Sequence, residues 1–98
     1  MNPVTAQLVL NSGLIWRLEG AMGRTATDMM REGLVMLGPT QTTDFWGNRV
    51  PSRYDVKPGT TGSRELVVER MGEEYAQMLD LVPHEPTTEI LTAAFTNI

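Results

Sequence analysis

Ser63-Arg64-Glu65-Leu66-Val67-Val68-Glu69-Arg70-Met71-Gly72-Glu73-Glu74-Tyr75-Ala76-Gln77-Met78-Leu79-Asp80-Leu81-Val82-Pro83 is the stretch whose pattern sets the fold class. Val67, Met71, Tyr75, Met78 and Val82 recur at intervals of four, four, three and four. That spacing lays an apolar stripe along one side of a helix. Leu66 and Leu79 broaden the stripe, while Glu69, Glu73, Gln77 and Asp80 mark the solvent side. Ser63 suits the N-cap, and Glu65 lies where the positive end of the helix dipole favours an acid. Pro83 cannot continue the run. The spacing predicts one helix over residues 64–82.

Working outward, Thr87 or Thr88 can cap a last short helix after Pro83-His84-Glu85-Pro86, with Ile90, Leu91, Ala94, Phe95 and Ile98 on its buried face. Upstream, Thr25-Ala26-Thr27-Asp28 has capping-box spacing, Ala26, Met30, Gly33, Leu34 and Leu37 form a stripe, and Gly38-Pro39 supplies a stop. A helix over about 26–37 follows. The N-terminal segment has two readings. Val4, Leu8, Ile15, Leu18 and Met22 can line a helix in two pieces, or 6–10 and 14–18 can flank Asn11-Ser12-Gly13 as a hairpin. Between 39 and 62, Thr42 to Trp46 and Arg49 to Tyr54 can pair across Gly47-Asn48, with Pro51 restricting the second strand to an edge.

The expected fold is therefore mostly α: one small helical domain spanning 1–98, with three to four helices and a short irregular β-hairpin-like insertion around 42–54. The alternative is α+β with an N-terminal hairpin at 6–18.

Composition narrows the function. An apolar fraction of 41% matches ordinary globular domains, and no cysteine is present for disulfides, thiol catalysis or thiolate metal sites. No targeting segment is visible and no run approaches the ~20 apolar residues of a membrane helix, so the expectation is a cytoplasmic protein with no membrane contact. The net charge of −4 is unevenly spread. Residues 49–64 carry four cations against one anion, and residues 65–89 carry seven acids against one arginine. An acidic whole disfavours nucleic acid as a partner and suits basic protein surfaces.

Catalytic signals are thin. His84 is the only imidazole and sits in a Pro-rich link, no Gly-x-Ser-x-Gly elbow exists, and the glutamates fall on a solvated helix side. The expectations are no enzyme activity, no cofactor and no metal. Gly59-Thr60-Thr61-Gly62-Ser63-Arg64 can turn backbone N–H groups towards an anion at a helix start, but it lacks the P-loop spacing and lysine. A turn with an N-cap is the simpler reading.

The segment from Asp44 to Tyr54 holds three of the six aromatic rings and two of the seven arginines in eleven residues. Phe45, Trp46, Arg49, Arg53 and Tyr54 are the candidate binding residues, because rings and guanidinium groups dominate interface hot spots. The competing reading makes the rings core residues that fasten a loop, since rings in small domains are usually buried.

The run Asp44-Phe45-Trp46-Gly47-Asn48-Arg49-Val50-Pro51-Ser52-Arg53-Tyr54-Asp55-Val56-Lys57-Pro58-Gly59-Thr60-Thr61-Gly62-Ser63 resembles short accessory proteins of phages that infect high-GC actinobacteria. The resemblance covers the middle third of the chain, implies an accessory protein made in an infected cell, and carries over no functional residue. Three functions are thus expected in order. The first is a non-enzymatic interaction protein that binds a host or viral protein through the aromatic and arginine loop. The second is a homo-oligomer that assembles through Met-rich helical faces. The third is a binder of nucleotides or single-stranded nucleic acid at Gly59–Arg64.

Overall fold

The computed structural model describes residues 2–17 and 21–83. In chain order these form helix α1 (Pro3–Ser12), a 3₁₀ turn (Leu14–Arg17), helix α2 (Ala21–Arg31), strands β1 (Thr42–Thr43) and β2 (Arg49–Val50), and helices α3 (Arg64–Met71) and α4 (Glu73–Asp80). The mostly helical architecture with a small antiparallel hairpin is as the sequence led us to expect. The last helix expected after Thr87 lies outside the described residues.

α1 begins where the Asn2 side chain accepts the Thr5 N–H at 2.9 Å and Pro3 occupies the first turn. It ends at Gly13, so the N-terminal segment is a helix followed by a 3₁₀ turn and the alternative hairpin at 6–18 is corrected. Ala6 to Asn11 are all buried, so α1 is enclosed on every side from its second turn onward, while Val4 at its start is exposed.

α2 corrects the second expected helix. It starts five residues earlier, at Ala21, and Thr25 to Asp28 lie inside it, where the Thr27 hydroxyl donates back to the Gly23 carbonyl at 2.8 Å. It stops at Gly33 and not at Gly38. Gly33 adopts φ +75°, its N–H donates to the Met30 carbonyl, and the Leu34 N–H donates to the Met29 carbonyl. This left-handed stop satisfies the last carbonyls of the helix. The apolar stripe continued past it because 34–38 is a buried extended segment. Side chains alternate across such a segment. Val35 and Leu37 pack with α1, α2 and the 3₁₀ turn, and Met36 packs on the other side with Val67, Ala76 and Leu79. One strand-like segment thus divides two apolar cores.

The expected helix over 64–82 is two helices. Ser63 caps α3, accepting the Leu66 N–H at 3.2 Å as its spacing promised. Gly72 then interrupts the run with φ 93° and ψ 165°, a backbone conformation open essentially to glycine alone. The break rotates α4 relative to the extrapolated stripe. Ala76 and Leu79 become its buried residues while Met71 and Met78 turn outward. The Tyr75 hydroxyl ties α4 to the segment after α2 by donating to the Leu34 carbonyl at 2.7 Å. A Cβ at Gly72 would meet no other atom, so Gly72→Ala isolates backbone strain. The substitution is expected to destabilise the domain by about 1–3 kcal/mol in urea unfolding. An unchanged midpoint would show that the bend is not imposed by this residue.

Candidate functional site

Asp44 builds the hairpin that carries the candidate residues. Thr42 pairs with Val50 and Thr43 with Arg49. The Asp44 carboxylate accepts the N–H groups of Trp46 at 2.9 Å and Asn48 at 2.8 Å, a side-chain mimic of a backbone turn. The Gly47 N–H donates to the Asp44 carbonyl, closing the turn. Just past β1, the Phe45 N–H donates to the Trp16 carbonyl at 2.9 Å, which fastens the turn of the hairpin to the 3₁₀ turn.

This scaffold leaves the rings outside. Phe45, Trp46 and Tyr54 are 60%, 71% and 72% exposed, so they do not fasten a loop to the core. Phe45 and Trp46 pack edge to face, with centroids 5.4 Å apart and planes at 80°. Such a pair holds both rings in defined positions without a core beneath them. Arg49 is exposed beside them and forms no ion pair among the described residues.

Arg53 departs from the expectation. Its side chain is only 4% exposed, so it does not share the surface patch with Arg49. The Ser52–Asp55 turn sends it inward: Ser52 donates to the Asp55 carboxylate from both its N–H at 2.9 Å and its hydroxyl at 3.0 Å. Gln41 donates to the same carboxylate at 2.8 Å. Those bonds, that from the Ser52 backbone foremost, hold the Asp55 carboxyl below its usual range. Within this turn Tyr54 faces solvent and Arg53 faces α1.

The guanidinium of Arg53 enters a polar network that sequence reasoning missed. Its Nε donates to the Leu37 carbonyl at 2.8 Å, its Nη2 to Asn11 Oδ1 at 3.0 Å, and its Nη1 lies 3.7 Å from Asp80. Burial pushes its pKa down, and Tyr54 and Asp80 oppose that. Gln7, fully buried, donates to Asn11 at 2.9 Å and clasps Met36 like a strand partner. Gln7 Nε2 donates to the Met36 carbonyl and Gln7 Oε1 accepts the Met36 N–H, each at 2.9 Å. Asn11 donates to the carbonyls of Val82 and Pro83 at 3.1 and 3.2 Å. Among the described residues no buried side-chain polar atom lacks a partner. The sequence signal was present: Gln7 and Asn11 stand one helical turn apart in a segment with no charge before Arg17.

Residues 59–64 form a turn and a cap. The Gly59 N–H donates to the Ser63 hydroxyl at 3.0 Å, the Thr60 N–H to the Lys57 carbonyl and the Ser63 N–H to the Thr60 carbonyl. Gly62 instead offers its carbonyl to the Leu37 N–H, and Thr61 is exposed. Arg64 turns away towards the acids, reaching Glu73 at 2.8 Å and Asp80 at 2.8 Å. Hydrogen bonds that Arg64 donates to Asp80 and then to Glu73 hold its pKa above the usual value, and Arg64 in turn lowers that of Glu73. The N–H groups of Gly59, Thr60 and Ser63 and the Arg64 guanidinium are thus directed at the protein itself. His84 lies outside the described residues.

Neither a protein-family model nor a curated protein nor a solved structure matches this chain. No helix of the described residues is long and apolar enough to cross a membrane.

Proposed function

We propose that this chain is a non-enzymatic interaction protein, a phage-type accessory factor acting in the cytoplasm of a host cell, that docks on another protein through its hairpin. The supporting observation is the exposure of Phe45, Trp46 and Tyr54 on backbone that is internally hydrogen-bonded. Rings held in place before binding lose little conformational entropy on contact, and each brings a large apolar area. Arg49 adds a planar cation suited to pairing with a carboxylate at the edge of the contact. Arg53 contributes indirectly, by holding the turn that displays Tyr54.

The test is affinity capture from the native cell, comparing the wild-type protein with Trp46→Ala and Arg49→Ala. Truncating Trp46 is expected to cost at least about 2 kcal/mol of binding, roughly thirtyfold, with the Arg49 effect smaller. Both variants are expected to keep the wild-type unfolding midpoint, because neither side chain is buried. Partner recovery unchanged in both variants would refute the assignment.

A further inference from the structure

The two apolar cores meet at one residue. The first is built by α1, α2, the 3₁₀ turn and the side chains of Val35 and Leu37. The second consists of Met36, Val67, Ala76 and Leu79, with Val68 and Tyr75 at its edge. Every member of it except Met36 belongs to α3 or α4. Met36 is itself held from the α1 side by the two bonds to Gln7, which need neither of those helices. Further ties between the helix pair and the rest are polar: Tyr75 to the Leu34 carbonyl, Asp80 at 3.7 Å from Arg53, and Asn11 to the carbonyls of Val82 and Pro83. Where α3 passes the end of α2 it crosses bare backbone, since a Cβ at Gly33 would lie 2.6 Å from Arg70 Cγ. Gly62, at φ +92°, leads into the Ser63 cap and offers its carbonyl to the Leu37 N–H at 3.0 Å, which anchors the near end.

We infer that α3 and α4 form a lid that lifts off the rest of the molecule as one unit, pivoting after Gly62 and latched by Asp80. Arg64 in α3 holds both Glu73 and Asp80 of α4, so the two helices travel together across the Gly72 break. Lifting forfeits the contacts of Met36 with Val67, Ala76 and Leu79 and the polar ties, while the first core, the Gln7 clasp and the hairpin stay formed. A unit joined to its neighbours by so small a core opens at lower free energy than the whole domain unfolds. Arg53 keeps the Leu37 carbonyl and Asn11 when Asp80 leaves, so the latch releases without stranding its guanidinium. The open lid bares Met36, Val67, Ala76 and Leu79, an apolar strip absent from the closed surface. Arg53 also holds the turn that displays Tyr54, so latch and display share one side chain.

Native-state hydrogen exchange by NMR tests the lid, under conditions where closing outruns exchange so that each rate reads an opening equilibrium. In the wild type, interior amides of α3 and α4 are expected to exchange together, at least about thirtyfold faster than those of Val9 and Leu10 in α1. Ile15→Val trims the first core alone and should speed the α1 amides roughly fivefold, leaving the α3 and α4 rates unchanged. That split is specific to a lid, because in a molecule that opens only as a whole every amide responds alike. Asp80→Asn should speed exchange in both lid helices together by roughly fivefold. Equal protection of α1 and the two helices in the wild type, or Ile15→Val speeding all of them by the same factor, overturns the inference. So does α4 exchanging apart from α3. Lid exchange unchanged in Asp80→Asn removes Asp80 as the latch.

Discussion

Arg53→Ala is expected to destabilise the domain by about 2–4 kcal/mol, while Arg49→Ala, four residues earlier, leaves stability within about 0.5 kcal/mol. Arg53 donates to the Leu37 carbonyl and to Asn11 and approaches Asp80. Its removal leaves the Leu37 carbonyl without that donor in the core and opens the volume its aliphatic stem fills. Asn11 retains the Gln7 donor and Asp80 retains Arg64, which keeps the loss below that of an isolated buried charge. Arg53→Lys should rescue little, because one ammonium cannot reproduce a fork that reaches acceptors in different directions. Urea unfolding measures the effect, which corresponds to a fall in Tm of roughly 8–30 °C for a domain of this size. Wild-type stability in Arg53→Ala would contradict the inward placement of this residue.

The second large effect is expected at Gln7. Gln7→Leu keeps the volume but removes both bonds to Met36, leaving one buried N–H and one buried carbonyl unpaired. At about 1–3 kcal/mol for each of the two unpaired groups, the expected loss is about 2–6 kcal/mol. Total stabilities of small domains are on the order of 5–15 kcal/mol, so much of the fold is at stake. Gln7→Glu should be worse at neutral pH, because a carboxylate oxygen would replace the amide nitrogen that faces the Met36 carbonyl and Asn11. Both variants are read by chemical unfolding. A Gln7→Leu midpoint equal to the wild type would show that Met36 finds other partners.

The two residues explain why sequence reading reached the fold class but misplaced part of the site. Periodicity and capping are local, so Ser63 and the helical content of 64–80 could be read directly. The same reading ran through Gly72, although the glycine stands immediately before Glu73 and Glu74, an acidic first turn that marks a new helix start. It also carried α2 beyond Gly33, because a buried extended segment and a helix both read as continuous apolar sequence. At the candidate site, residue type identified the rings and arginines of the hairpin. Which of two arginines faces solvent depended on contacts with residues 11, 37 and 80, and nothing local encodes such contacts.

The bonds from Asn11 to the carbonyls of Val82 and Pro83 span sequence separations of 71 and 72 residues. Contacts so distant along the chain must close a long loop before they contribute, and such closures slow folding. α1 precedes the other described elements along the chain, yet its polar side is satisfied only when Val82 and Pro83 reach it. The helix that holds the most deeply buried polar pair is thus completed only by the far side of the described chain.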